Sequence, residues 1–431
     1  MTNEYELRSK KKIKKKNGKN KKINKNKKIN KNNKINKNND LDEFINFIKD
    51  NDIEFEFKEI SNKYIDFKNK ISKSNLQIDT KNTIINNIDY FLSLNESSHE
   101  YQKMKTWMNN LMKIPFDNYS KLPVNINSNN NICNFLQKLQ NNLDNCIYGQ
   151  DDAKESLLQI ITQIITNPNS IGSIIALKGP PGVGKTSIIK NGLAKSLNLP
   201  FSFISLSGIN DVSYFDGFSF TYEGSKHGKI LEILMKTQCM NPIIFMDELD
   251  KISNTDKGDD ISNLLIHLTD FTQNDHYEDK YFSGIPFDLS KCIFIFSLND
   301  ENLINPILRN RLNIVNLKSF NLKEKIKITK KFIIPEFKTN IGIHDEIIFS
   351  DEVIEYIITN FTENEPGVRN LRRTIENILR KINLSKFSKK IKLNFNINIE
   401  FPLNITKEYI DELLKNNKIN KNTQPINMMY L

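Results

Sequence analysis

The sequence predicts an α/β fold: a parallel sheet flanked by helices on both faces, followed by a small α-helical domain and preceded by a helical region and a basic tail. Three observations carry that reading. Short apolar runs at Ile174–Leu177, Phe201–Leu206, Ile243–Met246, Ile293–Phe296 and Ile314–Leu317 alternate with helix-spaced segments, the pattern of buried parallel strands with crossover helices. The first run leads into Gly179-Pro180-Pro181-Gly182-Val183-Gly184-Lys185-Thr186, which fits GxxxxGK[ST]. The third runs directly into the acid pair Asp247-Glu248.

Taken from the N-terminus, residues 1–40 form the basic tail. They hold sixteen Lys or Arg against Glu4, Glu6 and Asp40, a net of +13, whereas residues 41–431 carry 46 basic and 48 acidic groups. The body is therefore near neutral, and a globally basic, histone-like protein is excluded. Residues 9–39 are little more than Lys, Asn and Ile, with no face able to support a core, and read as disordered. Drift in an AT-rich genome, attraction to nucleic-acid phosphates and nuclear import through Lys10–Lys16 all fit this composition.

Residues 41–117 read as a helical neck. Leu41, Phe44, Ile45 and Ile48 make one apolar stripe, Tyr101, Met104, Met108, Leu111 and Met112 another, and Pro115 ends the second helix. The Asn/Ser-rich stretch 118–131 reads as a linker. Helical spacing resumes over Ile132–Leu143 and Ala153–Ile165, opening a large α/β domain at 132–320. A small helical domain follows at 321–414 and a flexible tail at 415–431. Cys133, Cys146, Cys239 and Cys292 lie far apart with no CxxC pair, so neither a disulfide framework nor a zinc site is expected. No apolar run approaches the ~20 residues that span a bilayer, so no membrane partner is expected. The N-terminus lacks an apolar core, and its Lys/Asn-rich, Glu-bearing start is unlike a mitochondrial presequence; cytoplasmic or nuclear residence is expected.

The motifs specify chemistry. Glycines at 179, 182 and 184 let consecutive backbone N–H groups curl around a phosphate, Lys185 reaches the β- and γ-phosphates of ATP, and the Thr186 hydroxyl suits Mg²⁺. A helix beginning near Lys185 adds its positive dipole end. Asp247 and Glu248, at the C-terminal end of a buried strand, point into the crevice where α/β sheets bind ligands. Asp247 is expected to hold the Mg²⁺ water shell and Glu248 to polarise the attacking water. The run Cys292–Phe296 ends in Ser297-Leu298-Asn299, where an uncharged amide can hold the lytic water without competing for the metal.

Arginine use sharpens the picture. Only seven of the 62 basic residues are Arg, and six lie between Arg309 and Arg380. Where charge is otherwise supplied by Lys, an Arg marks a need for the planar, always-ionised fork. Arg309 and Arg311 follow the Cys292–Phe296 run. Arg369 opens a helix after Pro366-Gly367, while Val368, Leu371, Ile375, Ile378 and Ile382 face a core, leaving Arg369 free to point towards the phosphates. Arg372, Arg373 and Arg380 read as a solvated face.

Together these residues resemble the AAA+ ATPase module of the Lon protease family. Tyr148-Gly149 ahead of Asp151–Lys154 resembles its adenine-side entry, Gly179–Ser187 its P-loop, and Thr221-Tyr222-Glu223-Gly224-Ser225 with Gly228-Lys229 its axial pore loop. Asp275-His276-Tyr277 and Phe287-Asp288-Leu289-Ser290 resemble the stretch before its first sensor, and Pro366-Gly367-Val368-Arg369 its second sensor. Glu100-Tyr101 and Ile114-Pro115-Phe116 resemble the end of its helical neck.

The resemblance, over roughly residues 55–414, implies a P-loop AAA+ sheet with a helical lid, Asn299 as sensor 1 and Arg369 as sensor 2. It further implies Arg311 as an arginine finger donated in trans, and hence a homo-oligomeric ring, a hexamer by expectation. Protein substrates contacted by Tyr222 follow from it. The sequence also departs from the family. No segment after Leu414 matches the Ser–Lys proteolytic domain, so peptidase activity is not expected of this chain alone. The basic tail stands in place of the globular substrate domain. Glu223 replaces the apolar residue beside the pore aromatic, and Phe218-Ser219-Phe220 replaces the basic residues before it. Beside remodelling of protein substrates, two further readings remain: an ATPase tethered to nucleic acid by residues 9–39, and an ATPase subunit acting with a separate protease.

Overall fold

The computed structural model describes residues 62–124, 129–167, 174–387 and 400–415. The basic tail, the Leu41–Ile48 stripe and the tail beyond residue 415 lie outside these. The chain divides into two compact units, Met1–Asp66 and Phe67–Leu431. Of the first, residues 62–66 are described and are helical. The second carries everything below.

Its centre is a five-stranded, wholly parallel sheet: β1 (Ile174–Lys178), β2 (Phe201–Ser205), β3 (Ile243–Asp247), β6 (Ile293–Leu298) and β7 (Leu312–Asn316), in the order β2-β3-β6-β1-β7. The parallel sheet and its crossover helices match the expectation. The central strands β1, β3 and β6 are buried almost throughout, but the edge strands β2 and β7 are only partly buried. Asn313 and Asn316 face outward on β7, so that strand begins two residues before its apolar run. Edges have solvent on one side, and a polar residue at every second or third position costs them little.

Helices α3 (Asn129–Cys146) and α4 (Asp151–Thr166) cover one face beside α5, the helix over residues 185–197 that leaves the P-loop. α3 packs tightly on α5 at Gly192, where a Cβ would meet Leu143 Cδ2 at 2.7 Å. Helix α6 (Lys229–Thr237) and helix α7 (Asp256–Leu268) complete the crossovers. The lid consists of α8 (residues 322–341), α9 (Asp351–Phe361), α10 (Arg369–Phe387) and α11 (Lys407–Leu413). Asn321 starts α8 through a reciprocal capping box with Glu324, which satisfies two otherwise orphaned N–H groups. The lid is not purely helical: β8 (Ile347–Phe349) and β9 (Leu403–Ile405) form a two-stranded parallel ribbon. One hydrophobic cluster runs from Leu139 and Leu157 through Val183 and Ile295 to Ile357 and Ile375, so sheet and lid share a core.

The neck helices α1 (Ile78–Ser93) and α2 (His99–Leu111) precede the sheet. The Ser98 hydroxyl caps α2 by accepting the Tyr101 N–H at 3.1 Å. Its buried face is Tyr101, Met104, Trp107, Met108 and Leu111; Trp107 replaces the expected Met112. That face lies on the ribbon of β4 (Tyr277–Glu278) and β5 (Pro286–Phe287) and the turn between them, where the Trp107 Nε1–H donates to the Tyr281 carbonyl at 2.9 Å.

The stretch read as a linker is fastened over its described part. Asn118 O accepts the Met240 N–H at 2.9 Å, and the Asn241 amide pairs both ways with the Ser120 backbone at 2.8 and 2.9 Å. Residues 129–131 already belong to α3. Polar composition conceals such a tether, because its partners are backbone groups rather than a core.

Candidate nucleotide site

The sheet order explains the site. β3, β6 and β1 are neighbours, so their C-terminal ends bring Asp247-Glu248, Asn299 and the P-loop to one crevice. The result is a cleft of about 890 Å³. Tyr148, Pro181, Gly182, Val183, Gly184, Lys185, Thr186, Asp247, Glu248, Asn299 and Arg369 all line it.

Gly179 and Pro180 lie behind the lining. A Cβ on Gly179 would meet Leu317 O at 2.8 Å, so that glycine serves the close approach of the chain just after β7. Gly182 and Gly184 have φ of +82° and +99°, a region costly for any residue with a Cβ.

Lys185 is held at the mouth of the loop. Its ammonium donates to Gly179 O at 2.5 Å, Leu298 O at 3.2 Å and Asn299 Oδ1 at 2.6 Å. Burial pulls its pKa below the usual lysine value, opposed by the Asp247 and Asp250 carboxylates. Asp247 Oδ1 accepts the Ser297 hydroxyl and the Glu248 N–H, the latter at 3.1 Å. Glu248 itself sits at φ +61°, rare for a side-chain-bearing residue. That turn takes the chain out of the strand and brings the carboxylate to the cleft, and backbone strain of this kind concentrates at functional sites.

Two contributions were not read from the sequence. Asp250, whose carboxylate is buried, accepts the Asn299 N–H at 3.2 Å and so fixes the turn that presents the amide. The spacing Asp247…Asp250 was the available signal. Second, Arg372 is partly exposed, as a solvated face requires, but it is also engaged. It forms a two-pronged pair with Glu336 at 2.9 and 2.8 Å and lies over the Phe337 ring, and both it and Arg373 line the cleft. Arg380 does remain exposed, paired with Glu376.

The lid meets the P-loop directly. The Val368 N–H donates to Gly182 O at 3.1 Å, and a Cβ on Gly367 would fall 2.3 Å from Pro181 O. Glu365 caps α10 by accepting the Asn370 and Leu371 N–H groups, both at 2.9 Å, and this orients the turn that carries Arg369. Arg311 and Tyr222 stand outside the cleft. Arg311 pairs with Asp270 at 2.9 Å; hydrogen bonds from Thr272, then Arg311, hold that carboxyl down at about 2. Tyr222 is 68% exposed.

Comparison with known proteins agrees with this geometry. Residues 175–320 match the model of the ATPase family associated with various cellular activities (AAA), and residues 339–394 match the Lon protease AAA+ ATPase lid domain. The chain carries a Lon-type AAA+ ATPase module. A Lon protease homolog of Acanthamoeba polyphaga mimivirus is 36% identical over 66% of this chain and 28% of its own length. The Lon protease of Fusobacterium nucleatum is 38% identical over 59% of the chain and 33% of its own length. The mitochondrial Lon protease homolog 1 of Dictyostelium discoideum is 35% identical over 73% and 32% respectively. The match thus spans about a third of the length of these relatives, and it falls on the ATPase part. ATP binding and hydrolysis are the activity of that module. Among the described residues no helix is long and apolar enough to cross a membrane.

Proposed function

We propose that this Lon-type AAA+ chain hydrolyses ATP with Mg²⁺ in a homo-oligomeric ring, six subunits being the expected number, and uses the energy to remodel or unfold protein substrates. The observation that carries the ring is the position of Arg311. Its guanidinium lies outside the cleft of its own subunit, on Asp270, where it is available to a neighbour. Stabilisation of the transferring phosphoryl group by such a finger is worth about 10³–10⁵ in rate.

Within a subunit, Lys185 and the P-loop N–H groups bind the β- and γ-phosphates. Glu248 takes the proton of the attacking water, and Asn299 orients that water, with its backbone N–H held by Asp250. Arg369 reaches the phosphates from the lid, and Tyr148 borders the adenine end. The donors fit Mg²⁺: Thr186 offers a hydroxyl and Asp247 a carboxylate, hard oxygen ligands of the kind that leave the remaining positions to phosphate and water. The ion would neutralise charge developing between the β- and γ-phosphates. Among the described residues no cluster of three or more His, Cys, Asp or Glu side chains competes as a metal site.

The exposed Tyr222 ring supports action on protein, since an aromatic packs against polypeptide of any sequence. The test is ATPase turnover with and without an unfolded protein such as casein. Stimulation in the wild type that Tyr222→Ala abolishes is expected; turnover indifferent to casein, or stimulation that survives Tyr222→Ala, overturns the remodelling reading.

The +13 charge of residues 1–40 favours a second reading, a nucleic-acid-associated ATPase. In that case deletion of residues 9–39 removes DNA or RNA affinity together with its steep salt dependence. Unchanged binding after the deletion disposes of it.

A further inference from the structure

The loop that carries Tyr222 is closed at its base and held along one flank. It leaves at Gly217 and returns at Gly228, and the two ends meet: the Phe218 N–H donates to Lys226 O at 3.0 Å. Asp279, fully buried, accepts the Gly228 N–H at 2.7 Å and the Tyr281 N–H at 2.8 Å, tying the loop base to the β4–β5 ribbon. At the tip Tyr222 joins two successive turns, its N–H donating to Ser219 O at 3.1 Å and its carbonyl accepting the Ser225 N–H at 3.4 Å.

Phe220, two residues earlier, goes the other way. Its ring lies 6.1 Å from Trp107 and meets Tyr281 edge-on at 5.7 Å. The Lys103 ammonium, one turn along α2 from Trp107, sits 4.7 Å above the Phe220 ring and donates to Thr221 O at 3.0 Å. Helix α2 is itself locked to the ribbon by the Trp107 hydrogen bond and by Trp107 against Phe282 at 5.3 Å. So Phe220 and Thr221 are fastened to the neck, and the residue directly after them is the exposed tyrosine.

We propose that Phe220 is a positioning residue that docks the Tyr222 loop onto neck helix α2, so that the placement of the tyrosine follows the neck and not the loop alone. This rests on the reading of Tyr222 as the residue that grips polypeptide. It also gives the Phe218-Ser219-Phe220 departure a purpose: an aromatic needs an aromatic pocket, and α2 supplies it. A charged residue in place of Phe220 would have to be desolvated beside Trp107 and Tyr281.

Trp107 is the sole tryptophan of the chain and lies beneath the loop, so it reports docking without a label. In the full chain, Phe220→Ala is expected to raise acrylamide quenching of Trp107 fluorescence roughly twofold, because an aromatic lid is removed from the indole. It should also abolish casein stimulation of ATP hydrolysis with the KM for ATP unchanged, and Phe220→Tyr should restore both. Lys103→Met, which spares the aromatic packing, should move both readouts the same way by less, and it serves where Phe220→Ala folds poorly. Phe220→Ala that quenches like the wild type, or that quenches more yet keeps full stimulation, overturns the proposal. Wild-type protein unmoved by casein sinks the gripping role and not the docking, which then stands or falls on Trp107 quenching alone.

Discussion

The nucleotide cleft and the frame around the Tyr222 loop are built by different means. In the cleft, position comes from backbone: three adjacent parallel strands end together, glycines open the P-loop, and Lys185 is held mostly by carbonyl oxygens. In the frame, position comes from side chains brought together over long stretches of sequence. Lys103 and Thr221 are 118 residues apart, and Trp107 and Tyr281 are 174 apart. The first construction is insensitive to what surrounds it, while the second depends on each aromatic. The ATPase cleft can therefore keep its geometry while the surface around Tyr222 is rebuilt.

The largest effects should come from the cleft. If Glu248 is the base proposed above, Glu248→Gln should cost about 10²–10⁴ in turnover. On the proposed finger role, Arg311→Ala should cost about 10³ or more. Each variant should still bind a fluorescent ATP analogue. Mixing the two inactive variants sharpens the point. A Glu248→Gln subunit donates an intact Arg311 to the intact cleft of an Arg311→Ala neighbour, so the mixture should recover part of the wild-type turnover. A mixture as inactive as its components would mean that the guanidinium does not act across subunits.

Glycine contacts separate the two regions next. A Cβ at Gly367 would lie 2.3 Å from Pro181 O and 2.5 Å from Gly182 C, backbone atoms that cannot step aside. At Gly228 it would lie 1.8 Å from Phe215 O, at the base of the loop. Either alanine should cost roughly 1–3 kcal/mol through forced backbone shifts, read as a lower unfolding midpoint. Only Gly367→Ala should also weaken ATP binding, because only there does the lid bear on the P-loop. If Gly228→Ala weakened ATP binding equally, the cleft and the frame would not be separate constructions.

This contrast also explains what could be read from sequence. The strands, the P-loop, Asp247-Glu248, Asn299 and Arg369 were legible because each is a local pattern: an apolar run, a glycine spacing, a polar residue at a strand end. The hold of Asp250 on Asn299, the Arg372–Glu336 pair and the tether at Ser120 were not, since each is a contact between distant segments. The β8–β9 ribbon escaped because three residues are too few to show a period. Phe220 is the clearest case. In the sequence it registered only as a missing basic residue, and its meaning lies in Trp107, which no spacing rule connects to it.

The smallest effect concerns Asp279, which fastens the loop base. The charged group acting on it is Asp216, which is itself engaged by Lys280 at 2.9 Å. Burial pushes the Asp279 carboxyl up to about 7, with backbone N–H bonds opposing and Asp216 adding to the rise. In the unfolded chain the same group titrates near its ordinary 3.8. The folded protein therefore keeps a proton that the unfolded chain has released, and the stabilisation is complete below about pH 4 and lost as pH rises through about 7. Between pH 5 and 8 the wild type should lose on the order of 2 kcal/mol more than Asp279→Asn, which has no proton to exchange there. Thermal melts followed by Trp107 fluorescence at the two pH values measure the difference. The sign is opposite to that of Asp270 beside Arg311, whose lowered pKa gives stability at neutral pH that is lost as pH falls through about 2. Equal pH slopes for wild type and Asp279→Asn would mean that the Gly228 and Tyr281 N–H bonds outweigh burial and keep the carboxylate ionised, which would make the loop base a charged clamp from pH 5 upward.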